Sequence, residues 1–400
     1  MRAEHQPCKR KRPANEPHPP DTLPGPLSSD VVVHLLGKLT DAVFSFLGPA
    51  TKALAACGVQ QVVVMFDDER SRRLRPQFDA AIKLHLVPKE AVSWRGWRAL
   101  VDVFSDVVAQ VAPTAIHVHG AISAFAASRL LRQQIDPTIR SFFSPHSSKF
   151  LGRSGTMGTP LVHALRQMYG QQAPTLIANA QWEARSLALA GNSAVNLVEC
   201  PVPDAFFAVR RREWARPRVL TSGYPESAVA ADRYAQLAVL IVHGRNAPVL
   251  EWIGGATRAS IQRLQAADVQ MIDAQNASER ARCMAAGWMY VAPVATRGFP
   301  LNVAEAMAAG LPCVAIDTPA HRDLIEHGRT GFLYRDYHEL AQRIGQLLDA
   351  RKLRLEMGKA AQRHARSRFS ERRFQALVLA AYGAIRLEQP HHALAVANSH

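Results

Sequence analysis

No apolar run in this chain approaches the roughly 20 residues that a helix needs to cross a bilayer, so no membrane-spanning segment is expected. Cysteine is scarce. Cys8, Cys57, Cys200, Cys283 and Cys313 are odd in number, widely scattered and without a C-x-x-C pair. That pattern argues against a disulfide framework or a zinc site and fits a reducing cytoplasm. No tandem repeat of short period occurs, which excludes solenoids and propellers. Residues 1–29 have no apolar stretch; they are basic and rich in proline, so a disordered tail is expected there and a signal peptide is not. Acidic side chains are also short in supply: 33 Asp and Glu against 48 Lys and Arg, a net charge of +15. Nucleic acid is not expected as the partner, because neither a recognisable module nor basic residues interleaved with aromatics appear. The excess charge fits either an anionic membrane surface or an arginine-rich background, and composition leaves both open.

What is present is 400 residues with 48% hydrophobic content, enough for two ordinary domains. From Asp30 short apolar runs alternate with helical periodicity. Strands are expected at Val31–Leu36, Gln61–Phe66, Ala80–Val87, Thr114–His119, Thr138–Ser144, Thr175–Asn179 and Val195–Glu199. Helices are expected at Ala42–Cys57, Arg98–Val111 and Ala121–Gln134. Such βαβα alternation predicts a doubly wound, mostly parallel sheet over residues 30–200. Residues 201–217 carry Pro201, Pro203, Pro217 and Arg210-Arg211-Arg212, which mark an exposed linker. A second α/β domain follows over 218–370, and a last helix is expected from 371 to about 388.

The most informative stretch runs from Trp288 to Tyr334. Trp288–Pro293 reads as a buried strand, Arg297-Gly298-Phe299-Pro300 as a turn, and Leu301–Ala309 as a helix that Gly310 and Pro312 end. Cys313–Ile316 is a second strand, parallel to the first if the helix crosses over. The helix N-terminus beside Gly298 presents unpaired N–H groups, which suit a phosphate. In the first half, His117 and His119 alternate along one strand and so face one side of the sheet. Two histidines without a third ligand nearby do not make a metal site, and none is expected.

Gly298-Phe299-Pro300, the run Glu305 to Pro312 and the run Glu326 to Leu333 resemble the donor-binding half of family 4 glycosyltransferases. The resemblance extends, less specifically, from Val31 to Ile385. It implies a GT-B fold: two Rossmann-like domains facing across a cleft, with the C-terminal helix returning to the N-terminal domain. It implies metal-independent, retaining transfer of a sugar from a nucleotide-sugar donor, with no cofactor, onto a glycan or lipid-linked acceptor. By that resemblance Glu305 holds the nucleotide ribose, Gly223, Gly298, Phe299 and Pro300 shape the donor site, and the amides of Leu301, Asn302 and Val303 hold phosphate. His119 faces the reacting centre. Gly37 allows backbone close to a ligand, and His146 with Lys149 belongs to the acceptor segment Ser144-Pro145-His146-Ser147, before a loop, Gly152–Pro160, expected to act as an acceptor lid.

The sequence departs from the family at three donor-site positions. Tyr224 stands where the family has an arginine, residues 225–232 contain no lysine, and Arg297 occupies the first position of a Glu–seven residues–Glu signature whose second member is Glu305. Two readings follow. In the first, Arg297 supplies the missing cation, clamping a diphosphate or pairing with an acidic donor sugar. In the alternative, the chain is a catalytically degenerate relative that serves as a binding or scaffold partner. Sugar-nucleotide epimerisation is a third GT-B chemistry. Synthesis of a surface polysaccharide at the inner face of the cytoplasmic membrane is the expected setting.

Overall fold

The structure is a computed structural model, which describes residues 30–88, 94–133, 136, 138–146, 174–189, 195–223, 228–241, 247–274, 276–296 and 298–383. The expected tail, Lys149 and the loop after it, Tyr224 and Arg297 lie outside these residues.

Two parallel sheets organise the chain. The first contains β1 (Val31–Leu36), β2 (Gln60–Asp67), β3 (Lys83–Pro88), β4 (Ala115–His119), β5 (Arg140–Ser144), β6 (Thr175–Ala178) and β7 (Val195–Leu197). Their order is β3-β2-β1-β4-β5-β6-β7. The second contains β8 (Arg218–Ser222), β9 (Val249–Ile253), β10 (Val269–Ile272), β11 (Met289–Ala292), β12 (Cys313–Ile316) and β13 (Gly331–Tyr334), ordered β10-β9-β8-β11-β12-β13. Each sheet reverses its winding beside its first strand, between β1 and β4 and between β8 and β11. A crevice opens at the strand C-termini at such a point, and it is where open α/β sheets bind ligands.

Side-chain alternation sorts each strand between two cores. In the first sheet Val33, Leu35, Ile116 and Val118 face the Trp94–Val111 and Ala121–Gln133 helices. Val32, Ala115 and Phe142 face the Asp41–Ala56 helix on the other side. That second core is completed from the far end of the chain. Phe374, Val378 and Tyr382 of the Glu371–Ala381 helix and the residue after it pack beside Phe46. The Phe46 and Phe374 rings meet edge to face, 5.5 Å apart. The C-terminal helix therefore returns to the first domain.

The linker departs from the expected exposed connection. Asp204–Ala208 is a short helix, and Val202, Phe206 and Phe207 are buried in the second domain's core. Apolar side chains behind Pro203 gain more from burial than the prolines gain from solvation. Where the chain crosses outward and back, the two crossings touch: the Val202 N–H donates to the Phe369 carbonyl, 2.8 Å away. Arg211 is half-buried and donates to the carbonyls of Gly310 and Trp288 and to Glu213.

Local signals set the element ends. Thr40, Asp68, Thr257, Asn276, Thr318, Asp336 and Ser370 each cap a helix by accepting a backbone N–H. Gly310 takes φ +83° where the Leu301–Ala308 helix ends, as glycine allows. Among the described residues no helix is long and apolar enough to cross a membrane.

Candidate active site

The two switch points face each other across a cleft of about 770 Å³. The first domain contributes Lys38, His119, Ser123, His146, Asn179 and Cys200, and the second Thr221, Ser222, Tyr290 and the runs 292–296 and 298–303. Sequence reasoning placed His119, His146, Gly298, Phe299, Pro300, Leu301, Asn302 and Val303 at this site, and all eight line it.

The second-domain wall is built around the Leu301–Ala308 helix. Pro300 precedes it and offers no side-chain cap. The Leu301 N–H folds back onto the Phe299 carbonyl and the Val303 N–H onto that of Pro300, at 2.9 and 3.1 Å. The turn therefore occupies two of the three amides expected to hold phosphate. Asn302 instead reaches back with its side chain, donating to the Ser222 carbonyl at 3.3 Å. Ser222 and Tyr290 share a hydroxyl–hydroxyl bond of 2.9 Å beside it. Burial pushes the Tyr290 phenol up to about 12, so it stays protonated. Phe299 bridges the domains, packing against Phe369 at 5.2 Å and against both cores of the first sheet. A Cβ on Gly298 would come 3.4 Å from the His146 carbonyl, so the domains nearly touch there.

Glu305 is not at the surface of the cleft. Its side chain is 1% exposed, and Oε1 accepts from Arg280 at 2.8 Å while Oε2 is buried without a partner. Burial raises its pKa, and the guanidinium opposes that rise. The helix face that carries Glu305 turns toward the Ala277–Ala285 helix, where Arg280 sits. Gly37 and Gly223 also serve differently from expectation. Neither lines the cleft. A Cβ on Gly37 would lie 2.1 Å from the Trp97 ring, and one on Gly223 2.0 Å from the Trp252 ring. Both glycines make room for a tryptophan, not for a ligand.

Four histidines meet at the first-domain wall, His119 and His146 lining the cleft and His34 and His117 behind them. Register places His34 of β1 directly beside His117 of β4, and His119 lies two residues on, on the same face. His34 Nδ1 lies 3.2 Å from His119 Nε2, and His119 Nδ1 2.8 Å from His146 Nε2. His117 bonds to the Tyr382 hydroxyl and to Ser144 Oγ at 2.9 Å. His146 takes φ +52°, an uncommon conformation for a residue with a side chain. It is held there by His119 on one ring nitrogen and Asn179 on the other, 2.6 Å away. Burial depresses all four rings: His34 to about 4, His146 to about 3, and His117 and His119 well below the ordinary value. They are neutral at physiological pH.

Ligand atoms of His34, His117 and His119 lie within 4.8 Å of one another, a spacing that invites a metal. Each ring nitrogen of these three is, however, already within hydrogen-bond distance of a protein group. A metal bound there would have to displace those bonds. For the same reason His119 has no free nitrogen to offer a substrate. His34, Asn179, Ser222 and Tyr290 escaped sequence reasoning. Asn179, the polar residue directly after β6, carried a positional signal; His34 carried none, since only pairing with β4 brings it to the site.

Two doubly wound domains, joined by a crossover helix and meeting switch point to switch point, define the GT-B architecture. Comparison agrees at the level of sequence: residues 219–350 match the family described as Glycosyl transferases group 1, and residues 47–203 the Glycosyl transferase 4-like domain. The chain belongs to the family 4 glycosyltransferases. Over 81 residues it is 35% identical to spore coat protein SA of Bacillus subtilis, covering 20% of this chain and 22% of that protein. Over 85 residues it is 39% identical to the putative glycosyltransferase EpsD of the same organism, covering 21% and 22%. The matched segments thus span about a fifth of these curated relatives. Among solved structures, the fold matches Anabaena Alr3699/HepE in complex with UDP and glucose at TM-score 0.68 and 16% identity, over 89% of this chain and 100% of that one. It also matches sucrose-phosphate synthase of Thermosynechococcus elongatus at TM-score 0.68 and 16% identity, over 89% and 98%. At such identities the likeness is one of fold.

Proposed function

We propose that this protein transfers a hexose from a nucleotide-sugar donor to a hydroxyl of a glycan or lipid-linked acceptor, in the synthesis of a surface polysaccharide. The observation that carries this reading is the cleft itself. An uncapped helix N-terminus and hydroxyl groups form one wall, and the neutral His119 and His146, with Asn179 and Ser123, face them from the other domain. The helix end favours the diphosphate. Glu305, buried behind this wall with Oε1 held by Arg280, anchors the helix that forms it. Arg297 is the proposed cation for the diphosphate or for an acidic sugar. His119 shapes the reacting face through His146 and not as an acid or base, since both its nitrogens are engaged. The transfer proceeds with retention, without metal or cofactor. The protein acts in the cytoplasm, at the inner face of an anionic membrane that attracts its excess positive charge.

One observation favours a second reading, a degenerate relative that binds without catalysis. Among the described residues that line the cleft, the cations are Lys38 and Arg70 of the first domain, and the donor wall has none. A thermal-shift screen against UDP-, GDP- and dTDP-sugars, uronic acids included, separates the two. A ligand at a hundredfold excess over its dissociation constant adds about 2.7 kcal/mol of apparent stability. A hit is expected, and it should be lost in Arg297→Ala and in Glu305→Ala. Silence across the panel from a folded sample would leave the scaffold reading.

A further inference from the structure

The histidines of the first-domain wall belong to one continuous chain, whose inner end is fixed by a group with no choice of role. Gln61 is buried in β2. Its Nε2 lies 2.8 Å from the Thr51 carbonyl oxygen, which can only accept. Turning the amide over would set two acceptors against each other, so its Oε1 must point the other way, to His34 Nε2 at 3.4 Å. That nitrogen must then carry the ring's proton. A neutral His34 is left with a lone pair on Nδ1, which accepts from His119 Nε2–H. His119 Nδ1 accepts in turn from His146 Nε2–H. His146 Nδ1 accepts from the Asn179 amide. The last member, Asn179 Oδ1, is buried and has no partner.

We infer that Gln61 and His34, which lie behind the cleft and do not line it, are positioning residues that lock His119 and His146 into the single tautomer with the proton on Nε2. All the N–H bonds of the chain then point from the cleft toward Thr51. Hydrogen bonds aligned this way polarise one another. Their acceptor end, at Asn179, gives the cleft wall a partial negative potential without a formal charge. A fixed dipole of that sign favours the positive charge that develops at a sugar carbon as its bond to the leaving group breaks. This catalytic consequence rests on the proposed transferase reading; the tautomers do not.

Among the described residues, the following groups face the chain. The His117 ring is tilted by 35° against His119 with centroids 3.9 Å apart, and is bonded to Tyr382 and Ser144. Phe46 meets the His146 ring edge-on at 5.4 Å. Cys200 lies near Ser45 on the same wall. Glu183 accepts from the Asn179 N–H at 2.8 Å, and its carboxyl is pushed up to about 7 by burial. A metal ion held by His34 Nδ1 and His119 Nε2 would use the two nitrogens that share the chain's middle bond. Metal and proton exclude each other there.

The test uses the full-length protein with 15N-labelled histidine. Long-range 1H–15N spectra should show His34, His119 and His146 protonated on Nε2 and unchanged between about pH 5.5 and 8.5. Protonation on Nδ1, mixed tautomers at His119 or His146, or a stoichiometric metal in the purified protein would overturn the inference. Gln61→Leu removes the anchor. It should mix the tautomers and lower kcat about tenfold at unchanged KM for the nucleotide-sugar, the size of one lost hydrogen bond in the transition state; wild-type kcat in that variant would count against the lock. Gln61→Glu adds a signature that mere loss of packing cannot give. Its protonated carboxyl donates to Thr51 and accepts from His34 as the amide does, so activity should survive at low pH and fall as it ionises. Wild type lacks that limb, and any contribution from Glu183 is common to both. Should either variant fail to fold, the wild-type tautomers decide. Should no nucleotide-sugar support transfer, the transferase reading falls and the spectra still judge the lock.

Discussion

Replacing Glu183 with glutamine should change how the protein's stability depends on pH. Glu183 is buried at 2% exposure beside the cleft. Its Oε2 accepts one backbone N–H, from Asn179, and its Oε1 has no partner. Burial raises its pKa from 4.5 to about 7, with the Asn179 bond pulling the other way. Between those two values the folded protein keeps a proton that the unfolded chain has released, so unfolding becomes easier as pH rises. Below about pH 4.5 both states are protonated and nothing is lost; above about 7 both are ionised and the full loss is in place. At about 1.4 kcal/mol per pH unit, the interval amounts to about 3 kcal/mol. Glutamine has the same shape, can still accept from Asn179, and never ionises. Urea unfolding of wild type and Glu183→Gln from pH 4.5 to 8.5 should give curves that meet at the acid end and diverge above it, the variant becoming the more stable by up to about 3 kcal/mol. Parallel curves would refute the reasoning, whatever slope other groups impose on both.

Three further outcomes follow from the packing. Arg354 is fully buried, with its guanidinium over Trp288 at 3.7 Å and on both oxygens of Glu213, at 2.9 and 3.2 Å. Glu213→Ala should cost about 3–5 kcal/mol in denaturant unfolding, because it strands that charge; a loss under about 1 kcal/mol would be inconsistent with the pair. Gly223→Ala pushes a methyl into Trp252, and overpacking of about 1–3 kcal/mol should appear with a displaced Ser222 and weaker nucleotide-sugar binding by calorimetry. Tyr382→Phe removes the hydroxyl bonded to His117 and should lower stability by about 1 kcal/mol, with the histidine spectra shifted at His117 first.

Much of the fold was legible because its strands are short apolar runs bounded by turn residues. Val31–Leu36 and Cys313–Ile316 stand where their sequence places them. The helix of the linker was not, since five residues behind a proline show no period, and only burial reveals that Phe206 belongs to a core. Glycines proved the least readable. A turn with Gly37 or Gly223 after a strand looks the same in sequence whether the freed space admits a phosphate or a tryptophan from a distant helix or strand. Glu305 illustrates the matching limit for charge: helical periodicity finds its helix but not the arginine, one helix earlier, that claims its carboxylate. His34 became visible only when pairing in register set β1 against β4.

The helix that returns to the first domain also has a consequence for biosynthesis. Phe374, Val378 and Tyr382 fill one face of a sheet whose own strands end at Leu197. A ribosome making this chain completes all seven strands long before those three side chains exist. Until they emerge, the sides of His117 and Phe46 that they cover lie open, and the core beside the Asp41–Ala56 helix lacks its outer part. Domains commonly fold in the order of their synthesis; here the first to be made must be the last to close. A chain truncated before residue 371 and released from the ribosome should therefore be protease-sensitive in its first domain while its second is already compact.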